Sequence, residues 1–523
     1  MDGRLLPCGE RALLIEVDSL DAVLALRTAL ASVAGHGAFT PVRDVVPAAT
    51  TVLLSVDDPD ALAGVREAAA ALLPGLDIAT GPTDPDETVE ISVRYDGEDL
   101  AEVARITGLA PAEVIAAHTG RDWTVAFGGF APGFAYLVGG DERLQVPRRA
   151  VPRTRVPPGA VGLAGPFSGI YPRASPGGWQ LIGSTEVTLW DAERTPPALL
   201  QPGGRVRFRA VDEKRPERGL DKLDHQVAGP DRRSALTVLT TGPLALFVDE
   251  GRPGYAAVGV SPSGAADRTA YRLANRLVGN PSGAAALEIT LGGLALRAAS
   301  SCLVAVTGAD CAATVDGRPV THAGPVYLRP GQTLRLGVPS AGLRSYLAVA
   351  GGFEVPLILG SASSDTLSGL GPPRLDPGDR LAVGTALAPL LSVDSAPRAQ
   401  LPETERRLDV LPGPRSDWLA DAAELFGRRW RLSEHSDRVG VRVWGEPLRR
   451  RLELAGRELP SEPMVRGSIQ VPPDGRPVIF GADHPVTGGY PVVGVLTETA
   501  NDALAQARPG DWVRFRRVEQ HPG

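Results

Sequence analysis

Residues 11 to 79 alternate short apolar runs (ALLIEV, TVLLSV, LDIAT) with stretches whose apolar residues recur every three or four positions (LDAVLALRTALASVA, DALAGVREAAAALL). The runs predict strands and the periodic stretches predict helices, together a small α+β domain. GPTDPDE at 81 to 87 marks a break. Beyond it VEISVRY predicts a strand, DLAEVARITG and APAEVIAAHTG predict helices, and short strands between Gly/Pro turns run as far as 211. One motif recurs, as PGGRVRF at 202–208, PGQTLRL at 330–336, PGDRLAV at 377–383 and PGDWVRF at 509–515. A Pro-Gly turn feeding an alternating strand suits the closing strands of β-barrels, although Pro-Gly before a strand is also common by chance. In the second half the clearest helix is 264–278, with Ser263 as N-cap and Gly279 just past its end.

Composition narrows the class. At 523 residues the chain exceeds one core, and about 150 residues per domain suggests three or four. A net charge of -7 gives no basic surface for nucleic acid. The N-terminal stretch carries acidic residues within its apolar part, and no run of about 18 apolar residues occurs. Neither a signal peptide nor a membrane span is expected, and a cytoplasmic setting is. Cys8, Cys302 and Cys311 lack metal or redox spacing and read as buried thiols. Lys214 and Lys222 are the only lysines, both within the charged stretch 212–234, which is poor in large apolar residues and reads as a linker. The flanking segments therefore contain no P-loop lysine, Schiff-base lysine or biotin-attachment lysine.

Two unrelated Gly/Pro-dense signatures stand out: GFAPGFAYL with RASPGGWQLIG in the first half, and DEGRPGYAAVGVSPSGAADRTAYRLANRLVGN in the second. Residues 91–211, with AAHTGRDWTVAFGGFAPGFAYL and SGIYPRASPGGWQLIG, resemble the B-type subunit of bacterial 5-oxoprolinase, a family also known as the sporulation-kinase inhibitor. Residues 236–518, with ALEITLGG, SDRVGVRVWG and SEPMVRGSIQVPPDGRPVIFGADHPVTGGYPVVG, resemble the C-type subunit of the same enzyme. Both also resemble the carboxyltransferase region of urea carboxylase. Gly9-Glu10 departs from the usual Gly-Asp pair.

The resemblance implies a mainly β protein built of cyclophilin-like β-barrels behind a small α+β N-terminal domain. The expected units are 1–85 (α+β, ferredoxin-like), 86–211 (barrel), 212–234 (linker), 235–400 (barrel) and 401–523 (barrel). It also implies ATP-driven opening of 5-oxoproline to glutamate, with ATP and Mg2+, beside a separate LamB/YcsF-type A component; a homo-oligomer stays open. The alternatives are a carboxyltransferase fed by a biotin carrier on another chain, and a regulator of a sensor histidine kinase.

Such a reaction needs sites that hold developing negative charge. His118, ending a predicted helix, suits an acid/base or phosphate contact, or a helix-dipole contact. Phe130, Pro132, Gly133, Phe134 and Tyr136 suit a rigid binding wall or a packed barrel corner. Ser175, Gly177, Gly178, Trp179 and Gln180 suit an oxyanion loop of exposed backbone N–H groups. Arg153 and Arg155 alternate along a strand and suit an anion clamp or a solvated face. Arg252, Ser263, Gly264 and Asp267 would frame an anion site at the helix N-terminus, unless Asp267 only complements the dipole. Arg466, Gln470, Asp483, Thr487, Gly488, Gly489 and Tyr490 form a further polar cluster. His118, Arg155, Asp267 and Asp483 are the expected catalytic groups, Asn275 and Glu288 are expected to be structural, and no metal set is visible.

Overall fold

The computed structural model describes residues 3–76, 88–212, 234–385, 395–397 and 405–519. The expected boundaries at 85/86 and 400/401, linker residues 213–233 with both lysines, and LDIAT apart from Leu76 lie outside them.

The apolar runs near the N-terminus become strands of one sheet. Arg4–Pro7, Ala12–Glu16, Thr51–Val56 and Val42–Pro47 lie side by side in that order, antiparallel throughout. Leu13, Ile15, Val52 and Leu54 pack under helices α1 (Leu20–Val33) and α2 (Leu62–Leu72). Ala12, Leu14, Val46 and Leu53 face the other way, onto Met464, Val486 and Val495. Both faces of the two central strands are therefore covered, which is why ALLI and VLL are unbroken rather than alternating. Ser19 starts α1 by accepting the Ala22 N–H at 3.2 Å.

A seven-stranded sheet follows, ordered Gln180–Ser184, Ala160–Ala164, Phe167–Ile170, Ala135–Val138, Trp123–Gly128, Arg205–Ala210 and Thr88–Val93. An Arg94–Ser184 bridge ties its two outer strands. Helices α3 (Leu100–Thr107) and α4 (Pro111–Thr119) pack on it. The next unit stacks a six-stranded sheet on a five-stranded one around a shared core of Leu236, Phe247, Leu296, Val304 and Leu347. Its helix α5 (Arg268–Leu277) lies against Val248, Ala286 and Tyr346. The last unit is a closed seven-stranded barrel with α6 (Ala423–Gly427) and α7 (Glu498–Ala505), neither helix foreseen. The mainly β, barrel-like class is thus as expected. No helix among the described residues is long and apolar enough to cross a membrane.

The four Pro-Gly copies share one turn. Gly203, Gly331, Gly378 and Gly510 have φ of 88, 86, 98 and 91°, where only glycine is unstrained. Each turn closes with the next residue's N–H on the carbonyl three back, Gly204 to Gln201 at 2.9 Å and Asp511 to Arg508 at 3.0 Å among them. Only the first and last copies close barrels. Arg205–Ala210 runs parallel to Thr88–Val93 and antiparallel to the Trp123 strand; Trp512–Arg517 does the same with Glu405–Pro412 and the Trp430 strand. Both tryptophans donate their indole N–H to the carbonyl five residues back, Trp123 to His118 at 3.0 Å and Trp430 to Leu425 at 3.2 Å. The middle copies, Thr333–Arg335 and Arg380–Ala382, are instead antiparallel strands of the six-stranded sheet.

The helix expected at 264–278 starts later, at Arg268, because Asp267 and not Ser263 is the N-cap; the Asp267 carboxylate accepts the Ala270 N–H at 2.9 Å. Ser263 has φ 55° and turns its hydroxyl to Asp483. Gly279, at φ 74°, ends the helix as expected.

Trp430→Phe removes the pyrrole part of a fully buried indole and leaves the Leu425 carbonyl unanswered in the core, so it should cost about 2 kcal/mol or more, measured by urea denaturation. Trp444→Phe, at a site 47% exposed, should leave the urea midpoint nearly unchanged.

Candidate active site

The two Gly/Pro signatures meet each other. The loop 128–134 joins Trp123–Gly128 to Ala135–Val138 and lies directly on residues 257–259. A Cβ on Gly128 would stand 2.4 Å from the Ala257 carbonyl oxygen, and one on Gly259 2.3 Å from that of Ala131. Gly133 donates its N–H to the Val258 carbonyl at 3.0 Å. Phe130 adopts φ 64° and donates its N–H to the Thr487 hydroxyl at 3.3 Å, while a Cβ on Gly129 would collide with that hydroxyl. Gly128 and Gly259 are needed because backbones of the two halves touch there, and Gly129 because the Thr487 side chain does. Pro132 is buried, and Phe134 and Tyr136 belong to an aromatic cluster with Tyr171 and Trp179, Phe134 and Trp179 being 5.4 Å apart between centroids.

The expected oxyanion loop is used for packing. Ser175–Gly177 pairs with Arg153–Val156, a Cβ on Gly177 would meet the Tyr171 hydroxyl, and the Gly178 carbonyl accepts the Arg149 N–H at 2.8 Å. Trp179 and Gln180 are buried, Gln180 donating to the Pro147 carbonyl at 3.2 Å. Arg153 binds Asp99 and Glu98, so its charge is already answered, and Arg155 is exposed. They form no joint anion clamp. His118 is fully buried between Tyr95 (2.7 Å) and Ser168 (2.8 Å) and stacks on Phe208. Burial pushes its pKa down to about 3, so it is neutral near pH 7 and answers no helix dipole. It is a core residue rather than an acid or base.

Asp483 and Asp267 are committed as well. Asp483 accepts from Arg438 (2.9 and 3.0 Å), Ser263 (2.6 Å) and Thr366 (2.7 Å). Burial opposes its ionisation, but Arg438 outweighs burial and holds the carboxyl below the usual range. Arg438 also binds Glu288, the residue expected to be structural, and Gly264's carbonyl. Asp267 accepts from Gln506 at 2.7 Å, and burial, reinforced by Asp502, raises its pKa to about 6. The N-terminus of α5 is filled from within the protein, the Asp502 carboxylate accepting the Arg268 and Thr269 N–H groups at 2.9 and 3.1 Å. The expected anion site there is taken. Arg252 is buried against the Ser363 and Ile358 carbonyls, and Asn275 donates to the Ala284 carbonyl. Gln470 donates to the Tyr490 carbonyl at 3.0 Å; Gly488 pairs with Glu462; Gly489 and Tyr490 are exposed.

Of the expected residues, only Ser263 and Arg466 line the cavity of about 100 Å³ where the N-terminal sheet, the segment 256–268 and the segments 464–466 and 482–486 come together. The sheet supplies the cross-strand pairs Asp44–Ser55 and Val46–Leu53. Asp44 is buried and accepts the Gly254 and Ala256 N–H groups, both at 3.1 Å. Burial raises its pKa, partly offset by those bonds. Arg466 donates to the Ala265 and Ala266 carbonyls; burial, with Arg268 close by, lowers its pKa to about 10. His484 meets the Pro485 carbonyl through Nδ1 at 2.9 Å; a carbonyl only accepts, so Nδ1 carries the proton and Nε2 the lone pair. Burial drives its pKa to about 4. Asp44, Arg268 and His484 were not picked out from the sequence, because each gains meaning only from residues hundreds of positions away. Such a cavity offers cations, a carboxylate and apolar walls to a small anion.

Gly259→Ala should cost about 2 kcal/mol or more and expose the junction to protease, whereas Gly283→Ala, with nothing within 4 Å, should do neither. The unfolded protein takes up protons near pH 6.5 that buried His118 and His484 refuse until about pH 3 and 4. The stability these imidazoles contribute is therefore complete above about pH 6.5 and is lost as pH falls toward those values. His118→Gln should flatten this slope of melting temperature against pH, and an unchanged slope would show a different titrating group.

Family models match both halves: "Carboxyltransferase domain, subdomain C and D" over residues 3–200 and "subdomain A and B" over 258–517. The chain is 37% identical over 285 residues to the C-type subunit of Escherichia coli 5-oxoprolinase, covering 54% of this chain and 90% of that one. It is 48% identical over 129 residues to the B-type subunit of Bacillus subtilis 5-oxoprolinase, covering 24% of this chain and 54% of that one. The crystal structure of TTHA0988 superposes with a TM-score of 0.84 at 38% identity, covering 97% of this chain and 99% of that one. The chain thus belongs to the carboxyltransferase-domain family of the 5-oxoprolinase subunits, with a B-like and a C-like part joined in one polypeptide.

Proposed function

We propose that the chain is the joined B–C subunit of an ATP-dependent 5-oxoprolinase, which opens the lactam of 5-oxoproline to L-glutamate together with a LamB/YcsF-type A component. The observation that carries this is the cavity whose walls come from both halves, in a chain whose halves separately resemble the two named subunits. A lactam is a poor electrophile. Transfer of the γ-phosphoryl of ATP, brought with Mg2+, to the amide oxygen releases ADP and opens the carbon to water; phosphate then leaves with negative charge on its oxygen, and the ring C–N bond breaks to give the amine and carboxylate of glutamate. The chain's part is to bind and orient the ring, to keep bulk water from the activated amide, and to place cations near the developing charge. The setting proposed is cytoplasmic.

A second reading, supported by the family models' own description, is carboxyl transfer from a carboxybiotin carrier to an amide nitrogen. One experiment separates the two. The purified chain, alone and mixed with the LamB/YcsF-type protein of the same organism, is assayed for 5-oxoproline-dependent ADP and glutamate formation. Turnover only in the mixture is expected. Inactivity there, with bicarbonate-dependent activity once a carboxybiotin carrier is supplied, would replace the first reading by the second.

A further inference from the structure

The cavity at the three-way junction carries an uneven distribution of charge. Arg268 and Arg466 line it as cations, Asp44 lines it as an anion, and His484 is neutral. The arginines are well shielded from water, with side chains 21% and 14% exposed. Their carboxylate partners answer them loosely: Glu498 stands 3.3 Å from Arg268 and Asp502 3.8 Å from Arg466. Asp502 is meanwhile engaged by the first N–H groups of α5, and Glu498 is shared with Arg11. The buried Arg268 Nε has no hydrogen-bond partner. Two shielded guanidiniums side by side, one with an idle donor, are relieved by a carboxylate, which takes several N–H bonds at once.

The other walls set the rest of the ligand. Val46, Leu53, Met464 and Val486 are apolar and suit the face of a small ring. On Asp44, Oδ2 accepts from the Gly254 N–H and, at 3.4 Å, from the Ser55 hydroxyl, while Oδ1 accepts from the Ala256 N–H and keeps a lone pair for a further donor. Resting on the 5-oxoprolinase reading, we infer that Arg268 and Arg466 hold the carboxylate of a small cyclic amide acid in this cavity while Asp44 accepts its amide N–H.

The test uses the full chain and two probes: 5-oxoproline, and 2-pyrrolidinone, the same ring without the carboxylate. 5-Oxoproline should raise the melting temperature of the unaltered chain and 2-pyrrolidinone should not. Calorimetry should show 5-oxoproline binding weakened about tenfold or more in Arg466→Gln and in Arg268→Gln, the size expected for a charge-assisted hydrogen bond. Val46→Phe, which fills the cavity and leaves both arginines, should abolish binding. Equal stabilisation by both probes overturns the clamp, and so does unweakened binding in both arginine variants. The two readings fail separately. Turnover by the complex with the LamB/YcsF-type component at an unchanged KM in both arginine variants would sink the clamp and leave the enzyme reading. Arginine-dependent binding without turnover by that complex would do the reverse.

Discussion

Arg438 is a guanidinium buried away from water, and much of the second half is arranged to answer its charge. Removing an ion from water costs several kcal/mol, which only close counter-charges and acceptors offset. Asp483 and Glu288 supply the charges and the Gly264 carbonyl the acceptor, drawing together a loop of the last barrel, a strand of the middle unit and the turn before α5. Ser263 adds its hydroxyl to Asp483 from that same turn. The position of Arg268, one residue beyond the N-cap, follows from this constraint, and so does one wall of the cavity.

The contact between halves works by a different principle. Where loop 128–134 meets residues 257–259, backbone lies on backbone, and glycine is present because a Cβ would occupy the space of a carbonyl. Such a contact is sensitive to shape and indifferent to pH. Asp44 supplements it, spanning from the N-terminal sheet to the Gly254 and Ala256 N–H groups. The sheet therefore lies over the second half, although it begins the chain, and its outer face closes the cavity.

The residues that looked most chemical illustrate how a polar group in a Gly/Pro-rich run is read two ways. His118 and Asp483 sit in conspicuous motifs, yet both are saturated by hydrogen bonds in the core. Arg153 pairs with Asp99, and 54 residues separate them. A local window shows that a polar side chain is present and not whether a distant partner has already claimed it. Arg466 was legible because it sits in a dense motif, whereas Asp44 and Ser55 sit in an ordinary strand pair and become site residues only through what lies opposite.

Determined by the sequence alone were the elements whose physics is local: the helix α1, the four Pro-Gly turns with their positive-φ glycines, and the alternating strands after them. The mainly β class and the two-part ancestry were also legible, since turn chemistry and motif runs are written in contiguous residues. Tertiary structure alone decided which copies of the repeat close a barrel, because parallel pairing joins strands more than a hundred residues apart. It also decided which charges are neutralised and where a cavity remains, because desolvation and counter-charge depend on what the fold brings near and not on what the chain places next in line.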